Sequence, residues 1–238
     1  MSSSPSRSAT STPNRAPDAE LAGALGYCFT DTELLTRALT HKSFSRSHNE
    51  RLEFLGDAVL GYVVADRLFQ EQPDAHEDTM SLLRASLVRK ETLSAVAKEL
   101  NLGAYLRLGV GVRRSGGHRL DSLLADALEA LIGAVHLDGG IEAARQMTLR
   151  LLESRMQHLD AEALKDAKTR LQELLQGAGL DLPEYAIEAT AGSAHSRLFT
   201  VSCRVAAFDA EVTAEGRSRR AAEQGAAALM LDRVKDLV

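Results

Sequence analysis

Apolar residues recur every three or four positions from residue 19 to about residue 158. This spacing is typical of amphipathic helices. A first helix is predicted to open at the capping-box pattern Thr30–Glu33. The glycine- and arginine-rich stretch 109–118 is predicted to be a flexible basic loop. Further helices are predicted at about 49–70, from 79 onwards, and at 91–100, 121–138 and 141–158.

The pattern changes in the C-terminal third of the chain. A helix predicted over about 168–177 precedes three runs in which apolar and polar residues alternate, around Ile187, Val201 and Val212. Alternation with β-branched and aromatic residues is typical of strands. A final helix is predicted from about residue 219 to 237. The predicted fold class is therefore two domains, an all-α domain followed by an α+β domain with the order αβββα.

Composition sets the boundaries of these parts. Residues 1–18 are rich in Ser, Thr, Pro and Arg and almost lack large apolar side chains, so we expect a disordered tail. An organelle transit peptide is the alternative interpretation of this segment. The helical domain is predicted to span 19–158, a polar, alanine-rich linker 159–167, and the α+β domain 168–238.

The overall charge and the cysteines limit the class of protein. The 238 residues carry a net charge of −5, so a polyanionic partner has to be met by a local basic patch or through bound metal. No apolar run is long enough to span a bilayer, and no membrane partner is expected. Cys28 and Cys203 have no neighbours at metal-ligand spacing. We expect both to be small buried residues in a reducing compartment, the cytoplasm.

The run Asn49–Leu60 places acids inside an apolar helix. Glu50, Glu53 and Asp57 stand at i, i+3 and i+7, on one face of a helix, where like charges repel each other unless a cation lies among them. The same run carries enough apolar residues to bury most of the helix. This combination indicates a site for a hard cation.

A second predicted helix repeats the arrangement. Asp126 and Glu129 lie one turn apart in an almost entirely apolar segment. A solvated helix face is the ordinary explanation for a single acid. Two acid pairs on two apolar helices favour a metal site instead, because unpaired buried carboxylates are costly. The absence of a Cys/His cluster argues against zinc.

The two acidic runs carry a family resemblance. NERLEFLGDAVL at 49–60 and ADALEALIGA at 125–134 resemble the acidic motifs of bacterial ribonuclease III, and the C-terminal αβββα segment resembles a double-stranded RNA-binding domain. The resemblance covers nearly the whole chain after the tail. It implies a ribonuclease III-type endonuclease domain over 19–158 and a double-stranded RNA-binding domain over 168–238.

The resemblance also implies residue roles. The family's metal ligands fall on Glu53, Asp57, Asp126 and Glu129, with catalytic roles for Asp57 and Glu129. Two further acids of the family's cleft fall on Glu50 and Glu77, and Asp78 is the neighbour with which Glu77 could be confused. The implied cofactor is Mg²⁺, with Mn²⁺ as an accepted substitute.

The implied activity is metal-dependent hydrolysis of phosphodiesters in double-stranded RNA, which leaves staggered ends with 5′-phosphate and 3′-hydroxyl groups. Processing of ribosomal, messenger, transfer and other structured RNA precursors is the family expectation. The family also implies a homodimer through the nuclease domain. The apolar excess on residues 52–64 fits such an interface, although burial within one subunit would explain it nearly as well.

Three regions of the second domain are expected to contact A-form RNA, whose shape is recognised through its minor groove and its phosphates. The resemblance places these contacts on Thr169, Gln172, Glu173, His195, Ser218, Arg219 and Arg220. Many such domains carry further lysines after the basic pair, whereas this chain has Ala221, Ala222 and Glu223. We therefore expect a modest, salt-dependent affinity for phosphate.

Two other functions compete with this interpretation. A non-catalytic double-stranded RNA-binding scaffold on a nuclease fold would be marked by loss of a core carboxylate, yet all four are present. A carboxylate-bridged metalloenzyme acting on a small phosphorylated substrate would not need the αβββα segment.

Overall fold

A computed structural model describes the backbone of residues 15–193 and 196–237, and the side chains of 19–161, 164–193 and 196–237. The described chain forms two units that divide between Leu159 and Asp160. This division lies at the start of the predicted linker. Within the described residues, no helix is both long and apolar enough to cross a membrane.

The first unit is helical, as its periodicity predicted. Its helices are α1 (Arg15–Leu25), α2 (Thr32–Ala38), α3 (Glu50–Glu71), α4 (Glu77–Val88), α5 (Lys90–Glu99), α6 (Val110–Arg114) and α7 (Asp121–Met156). Helix α7 is bent at Gly140, where φ is +79°, and this bend separates the two helices that the sequence predicted there. Helix α2 is capped by Asp31, which accepts a hydrogen bond from the Glu33 backbone N–H, one residue later than the predicted cap.

Helix α1 corrects the predicted tail. It begins at Arg15, so residues 15–18 are helical, while residues 1–14 lie outside the described residues. Leu21 and Leu25 are fully buried and attach this helix to the unit. Composition alone placed the boundary too late, because a proline such as Pro17 is compatible with the first turn of a helix.

The stretch 109–118 is not a flexible loop, so that prediction was wrong. It contains α6 and a single 3₁₀ turn at Gly117–Arg119. A Cβ at Gly109 would lie 2.4 Å from the backbone oxygen of Ser43, and one at Gly117 would lie 2.4 Å from a methyl group of Val112. Glycine is needed here for close packing rather than for mobility.

Two further sequence expectations are corrected. Cys203 is buried, but Cys28 is exposed. On α3 the Phe54 side chain is 80% exposed, whereas the sequence analysis counted it among the residues that bury the helix. Both errors arise because local patterns show which residues are apolar without showing which neighbours cover them.

Helices α3 and α7 pack with their backbones unusually close. A Cβ at Gly56 would lie 1.7 Å from the Glu129 carbonyl oxygen, and a Cβ at Gly133 would lie 2.3 Å from the Leu52 carbonyl oxygen. Only hydrogen atoms fit at these two positions. Leucine, valine and isoleucine side chains of both helices form the buried core around this contact. The two glycines therefore set the distance between the two acid-bearing helices.

The second unit has the predicted αβββα order, with a short additional helix before it. Its elements are α8 (Ala161–Leu164), α9 (Ala167–Gly177), β1 (Glu184–Ala191), β2 (Leu198–Val205), β3 (Ala210–Gly216) and α10 (Arg219–Val234). The strands form an antiparallel sheet in the order β1-β2-β3. A core that includes Leu171, Cys203 and Met230 joins α9 and α10 to the sheet.

Replacing Gly56 with alanine tests the close contact of α3 and α7. We expect Gly56→Ala to lower the free energy of unfolding by about 1–3 kcal/mol or more, because the helices must move apart to admit a methyl group. Gly23→Ala in α1 is the control, since a Cβ there meets nothing within 4 Å. It should stabilise the helix by roughly 0.5–1 kcal/mol. Equal effects of the two changes in denaturant titrations would contradict the proposed contact.

Candidate active site and RNA-binding surface

Three of the predicted acids meet where α3 packs on α7. Glu53 projects from α3, and Asp126 and Glu129 project from α7. Each offers a carboxylate oxygen within 4.8 Å of the others, and all three residues are half-buried. A single cation can contact three oxygens at this spacing. The cluster contains only oxygen donors, which suits a hard cation such as Mg²⁺.

Raised pKa values show that bringing these acids together is electrostatically unfavourable. Burial raises the pKa of Glu129 to about 7, and the charges of Asp57, Glu53 and Asp126 add to this effect. Burial also raises the pKa of Glu53, with help from Asp126 and Glu50. Asp57 is exposed and acts on Glu129 through its charge. The charges of the other three predicted acids therefore all act on Glu129. Glu53, Asp126 and Glu129 have carboxylate oxygens within 4.8 Å of one another.

Lysines partly balance this negative charge. The Lys90 ammonium at the start of α5 lies 3.4 Å from an Asp126 oxygen. The Lys42 ammonium lies 2.8 Å from a Glu50 oxygen. That hydrogen bond is the main reason why the pKa of Glu50 is lowered. Neither lysine was predicted. Lys90 reaches Asp126 from a segment that is distant in sequence, and Lys42 reaches Glu50 from the irregular stretch just before α3, whose course periodicity does not show.

Glu50 lies in the same cavity as part of the cluster. The residues that line this cavity are His41, Lys42, Asn49, Glu50, Glu53, Leu106, Leu108, Leu123 and Asp126. The structure thus brings Glu50 together with Glu53 and Asp126. His41 was not singled out from the sequence, since a lone histidine before a lysine carries no recognisable pattern.

Glu77 is placed elsewhere in this unit. It begins α4, accepts a hydrogen bond from Ser81 at 2.7 Å, and lines a cavity with Ala65 and Phe69 of α3. Ala65 follows Glu53 by twelve helical residues, a distance of about 18 Å along the axis. Within one chain Glu77 is therefore not brought together with the other acids. Its neighbour Asp78 accepts a hydrogen bond from the Thr79 backbone N–H.

In the second unit, four of the predicted RNA-contacting residues share one concave surface. Thr169 and Gln172 of α9 and Arg219 and Arg220 of α10 line it, together with Asp166, Lys168, Glu223 and Gln224. Lys168 was missed by the sequence analysis, and it pairs with Glu223 at 2.7 Å. Arg219 pairs with the same carboxylate, while the Arg220 side chain is 85% exposed.

The remaining predicted contacts differ in their surroundings. The Ser218 hydroxyl caps α10 by accepting a hydrogen bond from the Ala221 backbone N–H at 3.1 Å. Glu173 forms an ion pair with Lys165 at 2.6 Å and lines a different cavity from Thr169 and Gln172. His195 lies outside the described residues. Thus the start of α10 and one face of α9 form the shared surface.

The raised pKa of Glu129 predicts a pH-dependent cost to folding. An acid whose folded-state pKa lies above its unfolded value binds more protons when folded, so stability falls as the pH rises from about 4.5 to about 7. We expect Glu129→Gln in metal-free buffer to be more stable than the parent protein at pH 8, by about 1–2 kcal/mol after solvent screening. The advantage should vanish near pH 4.5.

Glu142→Gln provides the matched control, because Glu142 is on the same helix with a side chain that is 67% exposed. Its substitution should leave the pH dependence of unfolding unchanged. A pH-independent difference between Glu129→Gln and the parent protein would contradict the electrostatic account.

The family models match both units. A model described as ribonuclease-III-like matches residues 31–155, and one described as a double-stranded RNA binding motif matches residues 167–234. Relatives named ribonuclease 3 cover nearly the whole chain. The relative from Vibrio cholerae is 49% identical over 92% of this chain and 97% of its own length. The relative from Alkalilimnicola ehrlichii is 51% identical with the same coverage.

Solved structures that resemble the first unit support the same family assignment. The nuclease domain of ribonuclease III from Campylobacter jejuni aligns with a TM-score of 0.58 and 45% identity, and it covers 63% of this chain and 100% of that one. A second structure of that domain was reported for structural flexibility in the region involved in dimer formation. It aligns with a TM-score of 0.56 and 48% identity, and it covers 57% of this chain and 95% of that one. The chain therefore belongs to the ribonuclease III family and is an endoribonuclease with a double-stranded RNA-binding motif.

Proposed function

We propose that the chain hydrolyses phosphodiesters of double-stranded RNA at a Mg²⁺ site formed by Glu53, Asp126 and Glu129, with Asp57 beside them. The observation that carries this proposal is the meeting of three half-buried carboxylates within 4.8 Å. The raised pKa values of Glu129 and Glu53 mean that the cluster gains from a cation that neutralises it. Mn²⁺, which also accepts carboxylate ligands, should substitute for Mg²⁺.

Each acid has a distinct part in this proposal. Bound Mg²⁺ supplies the charge that makes water a better nucleophile and stabilises the departing oxygen. Glu53 and Asp126 hold the cation from two different helices, so their positions depend on the contact of α3 with α7. Glu129 and Asp57 are the proposed catalytic residues. Glu129 is the acid of the cluster whose pKa is raised to about 7, and Asp57 is exposed where water can reach its carboxylate.

The second unit supplies affinity for the duplex. Thr169 and Gln172 are proposed to reach the minor groove, and Arg219 and Arg220 to reach phosphates at the start of α10. Ser218, Glu173 and His195 complete the expected contacts. Because Glu223 engages both Arg219 and Lys168, the affinity for phosphate should be modest. The contacts that do form join cations to phosphates, so binding should weaken as salt rises. The preferred substrates are structured RNA precursors in the cytoplasm, among them ribosomal ones.

An exposed aromatic face on α3 favours a homodimer. Phe54, Tyr62 and Phe69 are 80%, 52% and 71% exposed. At about 100° per residue they fall within about 80° of one another around the helix. Burial within one chain does not cover this stripe, so a second copy is the proposed partner. Glu77 lines a cavity with Phe69, so in the dimer it would lie near the interface rather than in its own chain's cluster.

A dimer with two-fold symmetry would present one acidic cluster to each strand of a duplex. Each cluster would cut one strand, and the two cuts would be staggered. We therefore expect products with 3′ overhangs that carry 5′-phosphate and 3′-hydroxyl ends.

The direct test of the proposed function is digestion of a defined RNA hairpin with Mg²⁺ or with EDTA, followed by mapping of the ends. Glu129→Gln should reduce cleavage by at least about a hundredfold, because the charge that completes the cluster is lost. Its affinity for the duplex in a gel-shift assay should remain within about twofold, because the second unit supplies that affinity.

Arg220→Gln is the complementary variant, since it alters the second unit and leaves the cluster intact. It should weaken binding and reduce the dependence of binding on salt. Strong cleavage by Glu129→Gln, or cleavage in EDTA, would contradict the proposal. Cleavage of nucleotides in preference to duplex RNA would favour the small-substrate alternative.

The proposed interface is tested by the double change Phe54→Gln and Phe69→Gln. The parent protein should sediment as a dimer and the variant as a monomer, because a polar face no longer gains from leaving water. Val110→Gln is the control, since Val110 is 69% exposed in the same unit but is outside the stripe. A monomeric parent protein, or a double variant that stays dimeric, would contradict the interface.

A further inference from the structure

His41 is the one histidine among the residues that line the cavity of the acidic cluster, and it shares that cavity with Glu50, Glu53 and Asp126. The chain around it is fixed by backbone contacts. The His41 backbone N–H donates to the Arg107 carbonyl oxygen at 3.1 Å. The preceding residue, Thr40, is 2% exposed and forms a bridge with Arg107. The imidazole is therefore held in a defined place beside the proposed metal ligands.

The hydrogen bonds of His41 determine which ring nitrogen carries the proton. The backbone N–H of Ser43 donates to Nδ1 at 3.1 Å. A backbone N–H can only donate, so Nδ1 must be the acceptor. The Ser43 hydroxyl oxygen, 2.8 Å from the same nitrogen, accepts from the Gly109 backbone N–H at 2.9 Å. Its own hydrogen is thereby free to point at Nδ1.

The proton of the neutral ring must therefore be on Nε2. Within the described residues, no hydrogen bond to a protein group engages Nε2. Burial lowers the pKa of His41, and the Lys42 charge lowers it further, against the opposite effect of Glu50 and Asp126. At neutral pH the ring is thus an uncharged imidazole that offers a single N–H donor.

We propose that His41 is a substrate-contacting residue of the nuclease site, whose Nε2–H donates a hydrogen bond to a phosphate oxygen of the RNA strand at the acidic cluster. This assignment rests on the function proposed above. A phosphodiester offers only acceptors, so a donor fixed on Nε2 matches it. An uncharged donor also has an advantage over a lysine here, because it does not compete with a metal ion for the carboxylates.

Two isosteric substitutions separate this role from a structural one. In His41→Gln the amide nitrogen reaches approximately the position of Nε2, so a donor at that position is kept while the acceptor for Ser43 is lost. In His41→Asn the amide reaches only the position of Nδ1, so the contact with Ser43 is kept while the donor at the position of Nε2 is lost. Both variants are made in the full chain and assayed on the same defined hairpin with Mg²⁺.

We expect His41→Asn to lower the single-turnover cleavage rate at saturating RNA by roughly ten- to a hundredfold, the effect of losing one aligned donor to an anionic group. His41→Gln should stay within about fivefold of the parent protein. If His41 served only to hold Ser43 and Gly109 in place, the order would reverse. That reversed order, or equal losses in both variants, would overturn the assignment.

A second measurement does not depend on activity. The ¹⁵N resonances of His41 in the labelled parent protein, assigned by comparison with His41→Gln, report which nitrogen is protonated. The proposal requires a protonated Nε2 and an unprotonated Nδ1 at neutral pH, and a change at Nε2 when duplex RNA is added. A proton on Nδ1, or an Nε2 resonance that is unaffected by the duplex, would overturn it.

Failure of the proposed function would be recognised separately. A parent protein that does not cleave duplex RNA with Mg²⁺ contradicts the proposed function. An active parent protein with an equally active His41→Asn variant contradicts only the assignment of His41.

Discussion

The close contact between α3 and α7 is the constraint on which the rest of the nuclease unit depends. Glycines at positions 56 and 133 allow carbonyl oxygens of each helix to approach the other backbone at distances that no side chain would permit. This contact brings Glu53 of α3 to Asp126 and Glu129 of α7. The apolar core around the contact supplies the stability that offsets the repulsion among the three acids, which no isolated helix could hold together.

The same arrangement explains how an acidic chain can act on a polyanion. Several carboxylates meet at the cluster, where Lys42 and Lys90 only partly balance their charge. In the proposed function, the acids repel RNA unless a cation neutralises them, so substrate affinity is expected to come from another surface. In the second unit, Thr169, Gln172, Arg219 and Arg220 line one such surface. The proposed function therefore assigns duplex binding and hydrolysis to different units, and it expects the two properties to be separable by mutation.

Much of the fold followed from local patterns. Helix α3 begins and ends within about a residue of its predicted bounds, and the three strands lie where alternation placed them. The acids of the cluster were also predictable, because their spacing is a property of single helices. Lys90 was not, since it meets Asp126 through packing between segments that are distant in sequence. Lys42 and His41 were not, since they lie in the irregular stretch before α3, whose course the helical periodicity does not show. Exposure of Phe54 and Cys28 was missed for the same reason, because periodicity does not show which neighbour covers a side chain.

The central claim is that carboxylates from two helices gather around one divalent cation. It is tested most directly by growing crystals of the full chain with Mn²⁺ and measuring anomalous scattering at the manganese edge. The account predicts a strong anomalous peak within coordination distance of carboxylate oxygens of Glu53, Asp126 and Glu129. Manganese bound elsewhere, with no peak among these three residues in crystals of an active preparation, would contradict it.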